Sequence, residues 1–215
     1  MNIKQKIKNS TIFGIVLSFY KNYFQSRRSK FGFIHPTAFV RYPIIIKGIE
    51  NVYLNENASI LSGALILATR AKFIIKRNSG AAEGLTVVTG NHVAYPGLWL
   101  RDVTDEKKTD EADKDVVVEE DVWIAANVTL LSGVTVGRGC SIGAGSVVRN
   151  SLPPYSIVVG NPAKVIGFRF SPGEIVEHEK ALYEEKDRIP FEVLEKNYNK
   201  YFRSRIKEIK NTLRL

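Results

Sequence analysis

Val118-Glu-Glu-Asp-Val-Trp, Ile124-Ala-Ala-Asn-Val-Thr, Leu130-Leu-Ser-Gly-Val-Thr, Val136-Gly-Arg-Gly-Cys-Ser, Ile142-Gly-Ala-Gly-Ser-Val and then Val148 decide the fold. An aliphatic residue opens every block of six. A small or β-branched residue follows four places later: Val122, Val128, Val134, Cys140 and Ser146. A helix cannot give a strict period of six, and strand alternation does not require one. A short repeat of this kind predicts a parallel β-helix, in which each short strand stacks on the strand one coil earlier. The aliphatic residues then point inward as ladders and the small residues fit the corners. Gly133, Gly137, Gly139, Gly143 and Gly145 fall near those corners, where positive φ is expected and a Cβ is penalised.

Upstream, hexads are weaker but recur from Ile34-His-Pro-Thr-Ala-Phe and Val40, through Ile46 and Val52, with a phase shift at Leu54 and Ile60 to Ile66. Phe73-Ile-Ile and Leu85-Thr-Val-Val are β-rich. Regularity breaks between about 89 and 115, in Thr89-Gly-Asn-His-Val-Ala-Tyr-Pro-Gly-Leu-Trp-Leu-Arg and the polar run from Asp102 to Asp115. A loop of that length inside a compact fold is usually functional or disordered. By itself the charge run reads as a solvated face.

The ends differ from the middle. Residues 1–33 are basic and apolar, with Ile7, Phe13, Val16, Leu17, Tyr20 and Phe24 at helical spacing. The apolar run is about half a bilayer-spanning length, and no small-residue cleavage site follows it. This segment reads as a helix covering the open end of the first coil, or as a basic amphipathic helix touching an anionic membrane surface. After Phe168 the pattern turns helical. Ser171 is placed to cap a helix with Pro172 in its first turn. One helix is expected from Glu174 to Lys186 and a second from Pro190 to about Leu213. The chain thus divides into 1–33, a coiled body over 34–167, and a helical extension over 168–215.

The 215 residues carry 31 Lys and Arg against 22 Asp and Glu, a formal net charge of +9. That balance favours anionic partners. No nucleic-acid-binding motif accompanies it, so nucleic acid is not an expected partner. One cysteine excludes an internal disulfide framework and fits a reducing, cytoplasmic compartment. Cys140 reads as a small buried residue.

Trp123-Ile-Ala-Ala-Asn-Val-Thr-Leu-Leu-Ser-Gly-Val-Thr-Val-Gly, Ile142-Gly-Ala-Gly-Ser-Val-Val and Gly160-Asn-Pro-Ala-Lys-Val-Ile resemble the hexapeptide-repeat acyltransferases. The match is closest to their maltose, galactoside and polysaccharide O-acetyltransferase branch. It covers roughly Ile34 to Ile166, most strongly in the second half. The resemblance implies a left-handed parallel β-helix with about 18 residues per coil and a homotrimer with active sites between subunits. It also implies an ejected loop folding over a neighbour's site.

Acetyl transfer from a thioester to a hydroxyl needs a base, oxyanion donors and a positioned thioester carbonyl. Of three histidines, His35 lies in an early hexad and His178 in the helical extension. Only His92 sits where the coils break, and the resemblance places the family's general base there. Asn91 could bind the acceptor or shape the turn. Glu83 and Asp102 are candidates to orient the imidazole. The resemblance puts Ala126 and Ala144 against the pantetheine arm of acetyl-CoA and Trp123 near the thioester. Arg149, Asn150 and Lys164 lie toward the nucleotide, with Lys164 on the 3′-phosphate. Ala125 departs from the family's more usual glycine. The plainer readings are a packed tryptophan, tight alanine turns and a solvated lysine. No metal is implied.

The acceptor expected is a hydroxyl on a sugar or surface glycan. The N-terminal segment has no convincing match to the part of the galactoside and maltose enzymes that holds a small sugar. Alternatives are N-acetylation of an amino-sugar nucleotide, O-acetylation of a xenobiotic, and a trimeric scaffold without chemistry. A γ-type carbonic anhydrase would need three converging histidines, and His35 and His178 are placed wrongly for that.

Overall fold

The computed structural model describes residues 10–20, 27–104, 107 and 113–213. Five coils stack, each with three short strands. The first holds β1 (Phe33–Ile34), β2 (Phe39–Val40) and β3 (Ile45–Lys47). The second holds β4 (Val52–Leu54), β5 (Ser59–Ile60) and β6 (Leu65–Leu67). The third holds β7 (Phe73–Ile75), β8 (Gly80–Ala81) and β9 (Thr86–Val88). After the ejected loop come β10 (Val116–Val118), β11 (Trp123–Ile124) and β12 (Thr129–Leu130), then β13 (Thr135–Val136), β14 (Ser141–Ile142) and β15 (Val147–Val148). Pairing between successive coils is parallel. Sheet A runs β1-β4-β7-β10-β13, and sheet C runs β3-β6-β9-β12-β15. Sheet B runs from β2 to β14 and continues into a hairpin of β16 (Ser156–Val159) and β17 (Lys164–Phe168). The chain is therefore a mainly β solenoid, as the sixfold repeat predicts.

The register explains both the clear and the faint hexads. Trp123 pairs with Ser141, 18 positions on, so these coils are three hexads long. Ser59 pairs with Gly80, 21 positions on. The extra residues in the early coils blur the repeat. Gly80 pairs with Trp123, 43 positions on, which is where the loop leaves between β9 and β10.

Inward columns fill the coil. In sheet B, Ile60, Ala81, Ile124, Ile142 and Val158 stack in register, and each is at most 2% exposed. In sheet C, Ile66, Val87, Leu130 and Val148 do the same. Burying each Ile, Leu or Val of these columns contributes roughly 1.5–3 kcal/mol. The corner residues Val122, Val128, Val134, Cys140 and Ser146 are also buried.

The fourth position of each later hexad is left-handed: Asp121, Asn127, Gly133, Gly139 and Gly145 have φ between 56° and 80°. Asn and Asp tolerate this region best among residues with a Cβ. Gly137 and Gly143 correct the expectation, because neither has positive φ. They are small through close approach: a Cβ on Gly137 would lie 2.6 Å from the Pro154 nitrogen, and one on Gly143 2.8 Å from Val159 Cγ1.

The ends are closed by different devices. Phe31, 8% exposed, joins the core below the first coil, and Ile49 packs against that core. In helix α1 (Thr11–Tyr20), Ile12, Ile15 and Val16 are 59–75% exposed and Phe13 is half-buried. Ile7 and Phe24 lie outside the described residues, as do residues 105–106 and 108–112 of the polar run.

At the other end Ser171 caps α2 (Pro172–Leu182) through a capping box with Glu174. This helix starts two residues before the sequence-based boundary and ends four before it. The second predicted helix is broken into α3 (Phe191–Tyr201) and α4 (Ile206–Leu213). The break falls at Phe202, with φ −124° and ψ −66°, followed by a 3₁₀ turn over Arg203–Arg205. Glu179, 1% exposed, fixes the extension to the coils. It accepts hydrogen bonds from Tyr155 Oη at 3.0 Å, Arg138 Nη1 at 3.1 Å and the Ile189 N–H at 2.6 Å.

Candidate active site

Three edges run along the solenoid, and they sort the candidate residues. On the edge between sheets B and C, backbone bonds link equivalent corners coil to coil. The Asn127 N–H donates to the Glu83 carbonyl at 2.8 Å, and the Gly145 N–H to the Ala126 carbonyl at 2.9 Å. The stack is capped where the Val147 N–H donates to the Gly160 carbonyl at 3.0 Å and the Gly160 N–H to Ser146 Oγ at 3.1 Å. Glu83, Ala126 and Ala144 therefore occupy successive corners of one edge, and Lys164 begins the strand that follows its cap. Trp123, 58% exposed, projects from sheet B three residues before Ala126. It stands beside Gly80 and Ser141, whose small side chains leave its ring uncovered.

The edge between sheets C and A carries His92 and Asn91. Both are exposed, and they line a cavity of about 580 Å³ with Leu67, Arg70, Val88 and Asp113. This edge also holds Arg149 and Asn150, two coils further on and exposed. The inferred cofactor residues thus divide between two edges. Asp102 lies elsewhere, in a 3₁₀ turn of the loop, 3.5 Å from Arg101. Neither Asp102 nor Glu83 bonds to His92. Among the described residues the His92 ring has no hydrogen-bond partner.

Sequence reasoning missed Asp113. Its side chain is 5% exposed, accepts the Asn91 N–H at Oδ1 (3.1 Å), and pairs with Arg70 Nε at Oδ2 (3.1 Å). It joins the outgoing strand of the loop to the returning one, one residue from His92. A Cβ on Gly90 would come within 2.7 Å of its carboxylate oxygen. Below, the Lys114 N–H donates to the Thr89 carbonyl at 3.0 Å, and Ser132 Oγ donates to the same carbonyl at 2.8 Å. The neck is therefore fixed while the tip is not covered: Leu98, Trp99 and Leu100 are 44–79% exposed. Asp113 lay inside the polar run, where one carboxylate among several carries no positional signal. The Gly90-Asn91 pair before His92 was the sole local sign of a tight turn.

The other histidines lie apart. His35 Nδ1 is 2.9 Å from Thr37 Oγ1, and His178 sits between Tyr155 and Phe170 in the extension. Among the described residues no group of three His, Cys, Asp or Glu side chains could hold a metal ion. None of the helices there is long and apolar enough to cross a membrane. Cys140 is buried, and burial pushes its thiol up to about 11.

Residues 115–150 match the bacterial transferase hexapeptide (six repeats) family, the segment where the sixfold repeat is regular. The chain is similar to solved hexapeptide-repeat acetyltransferases. One is a hexapeptide-repeat-containing acetyltransferase from Vibrio cholerae, 25% identical over 75% of this chain and 84% of that one, with a TM-score of 0.57. A structure of such an acetyltransferase from Vibrio cholerae O1 biovar eltor, complexed with acetyl coenzyme A, is 22% identical over 78% and 98% of the two chains, with a TM-score of 0.60. A maltose O-acetyltransferase from Clostridium difficile 630 is 23% identical over 75% and 87%, with a TM-score of 0.56. The last two likenesses are of fold. No curated protein matches the sequence.

Proposed function

We propose that this chain is an acetyl-CoA-dependent O-acetyltransferase acting on a hydroxyl of a sugar or surface glycan, with His92 as general base. The observation that carries the reading is an exposed imidazole, held at the fixed neck of an ejected loop, on a solenoid of hexapeptide-transferase type. A solved structure to which it is similar at 25% identity is an acetyltransferase, and a fold relative is complexed with acetyl coenzyme A.

In the proposed reaction the unprotonated nitrogen of His92 takes the acceptor hydroxyl proton as the oxygen attacks the thioester carbonyl. The C–S bond of the resulting tetrahedral species breaks, and the leaving thiolate recovers the proton from the imidazolium. Ala126 and Ala144 leave the corner backbone accessible to the amides of the pantetheine arm. Trp123 offers an uncovered ring near its thioester end. Glu83 and Asn91 are proposed on the acceptor side. Arg149 and Asn150 stand on the His92 edge, and Asp102 would join the site only through movement of the loop.

The two edges favour a homotrimer with sites between subunits. They are separated by the width of sheet C, roughly five residues or about 16 Å at ~3.3 Å per residue. One chain cannot hold a thioester against Ala126 and also touch it with its own His92. A neighbouring copy supplying the other edge resolves this. The exposed apolar loop tip, Leu98 to Leu100, suits a contact with that copy.

The test is acceptor-dependent thiol release from acetyl-CoA, with simple sugars, amino-sugar nucleotides, chloramphenicol and bacterial surface oligosaccharides as acceptors. His92→Ala is expected to lower the rate by about 10²–10⁴-fold while shifting Tm by no more than a degree or two. An unchanged rate sinks the assignment. Transfer only to an amino group would instead select the N-acetyltransferase reading.

A further inference from the structure

The third edge, between sheets A and B, is the one that neither His92 nor the lane of Ala126 and Ala144 uses. Beside it the outward row of sheet B runs Ser59, Gly80, Trp123 and Ser141 in register. The neighbours of the tryptophan are small, so a cavity of about 320 Å³ opens next to it. A Cβ on Gly80 would lie 3.9 Å from Trp123 Cζ3, so the ring leans over that glycine while staying 58% exposed. The other side of the cavity is made by Asn57, Asn78 and Asp121, equivalent corner residues of three coils with φ of 54–58°. Asn57 Nδ2 donates to Asn78 Oδ1 at 2.9 Å. Among the described residues this leaves Asn78 Nδ2 as an unused donor and Asn57 Oδ1 as an unused acceptor. The charges of the lining, Asp121 and Arg169, are paired: Arg169 Nη1 donates to Asp121 Oδ2 at 2.8 Å and to the Gly139 carbonyl at 3.2 Å.

We propose that this cavity is a remote acceptor subsite that holds a neutral pyranose unit of an oligosaccharide or polysaccharide, with Trp123 under its C–H face and Asn57 and Asn78 on its hydroxyls. The proposal rests on the sugar-acceptor reading above and deepens it, because it makes the acceptor a chain instead of a single sugar. A pyranose has an apolar face and a rim of hydroxyls that both donate and accept. An uncovered aromatic ring beside side-chain amides with one free donor and one free acceptor matches both parts. The volume lies at the lower end of small-ligand sites, too small for a nucleotide, and the paired Arg169 leaves no lone cation for a phosphate. From Asp121 to Ala126 is five residues, or about 16 Å at ~3.3 Å per residue. A sugar seated at the A–B edge therefore cannot offer its own hydroxyl to a thioester held at the B–C edge. Another unit of the same chain must do so, passing over Trp123. In the proposed trimer the B–C and C–A edges meet a neighbouring copy, and the A–B edge stays open to a long acceptor.

The test takes the full chain and two variants, Asn78→Gly and Asn57→Gly. Glycine suits the positive φ of both positions and removes only the amide. Each protein is applied to an array of neutral and anionic bacterial surface oligosaccharides. Thiol release from acetyl-CoA is then measured with a retained glycan and with its single sugar unit. Wild type is expected to retain neutral chains. Each variant should weaken that binding about 3–10-fold, the size of one neutral hydrogen bond, and raise the KM for the chain by the same factor. The kcat, and both constants for the single sugar, should stay as in wild type. If one variant melts early, the other decides. No retained glycan, retention of anionic chains alone, binding indifferent to both variants, or an equal rise in KM for chain and single sugar overturns the proposal. Amide-dependent retention of neutral chains without thiol release would keep the subsite and remove the acetyl-transfer reading. Thiol release with the same KM for chain and single sugar in all three proteins would do the reverse.

Discussion

Replacing Asp113 by Asn tests whether the neck of the loop sets the position of His92. The carboxylate is 5% exposed, accepts the Asn91 N–H and pairs with Arg70 Nε, each at 3.1 Å. Asparagine keeps one carbonyl oxygen, so it can still accept from Asn91. It places an amide NH₂ or a neutral oxygen against the guanidinium and abolishes the ion pair. Arg70 is 31% exposed and can turn to water, so the cost is that of a partly screened pair, about 1–2 kcal/mol. In a chain of this size that corresponds to a fall in Tm of about 2–8 °C. The larger effect falls on function. The neck opens next to His92, and a displacement of about 1 Å at a reacting group costs on the order of 10² in rate. The expected result is a kcat lowered about 10–100-fold with the KM for acetyl-CoA unchanged, because the lane of Ala126 and Ala144 lies on the other edge. Limited trypsin digestion should nick the loop at Arg101 or Lys107 faster than in wild type. A kcat equal to wild type refutes the reasoning. So would a rise in the acetyl-CoA KM matching the fall in kcat, which would show a general loss of fold.

Three further outcomes follow from the packing. Ile124→Ala removes a fully buried rung between Ala81 and Ile142 and should cost about 2–5 kcal/mol, read as a denaturation midpoint. Gly145→Ala and Gly139→Ala share φ near +70°, but a Cβ at 145 meets nothing within 4 Å and one at 139 lies 2.4 Å from the Tyr155 ring. The first should cost about 1–2 kcal/mol from backbone conformation alone and the second distinctly more; equal losses would contradict the close-approach argument. The Cys140 thiol, raised by burial from an ordinary 9.0 to about 11, should resist thiol reagents at pH 8 until the protein unfolds. Because its folded pKa is raised, it contributes stability that is present below pH 9 and lost as pH rises through 11. A Cys140→Ser variant should lack that part of the alkaline decline.

The regular coils were legible because each hexad repeats one geometric requirement. Ile124, Leu130, Val136 and Ile142 are inward-facing wherever they occur, and their spacing alone shows it. Val52, Phe73 and Val116 obey the same rule, but coils of 20 and 21 residues shift their phase. The C-terminal helices were legible at their start, where Ser171 and Glu174 are local signals. They were illegible at Phe202, where apolar spacing runs through a break that tertiary packing imposes. His92 could be singled out because it falls where periodicity fails. Asp113 could not, since its burial depends on Arg70 and Asn91 arriving from two other parts of the chain.

The sequence by itself determined the solenoid, its later register, the point of the loop and the residue types available for chemistry. These are set by short-range periodicity, which survives in one dimension. Tertiary structure decided which of those residues share an edge. It placed Glu83, Ala126 and Ala144 on one corner and His92 with Arg149 on the next, bound Asp113 under the loop, and brought Arg205 and Glu208 to Lys164. Each of these juxtapositions joins positions tens of residues apart through the stacking of coils. Stacking distance depends on every inserted residue between them, and no local pattern records it.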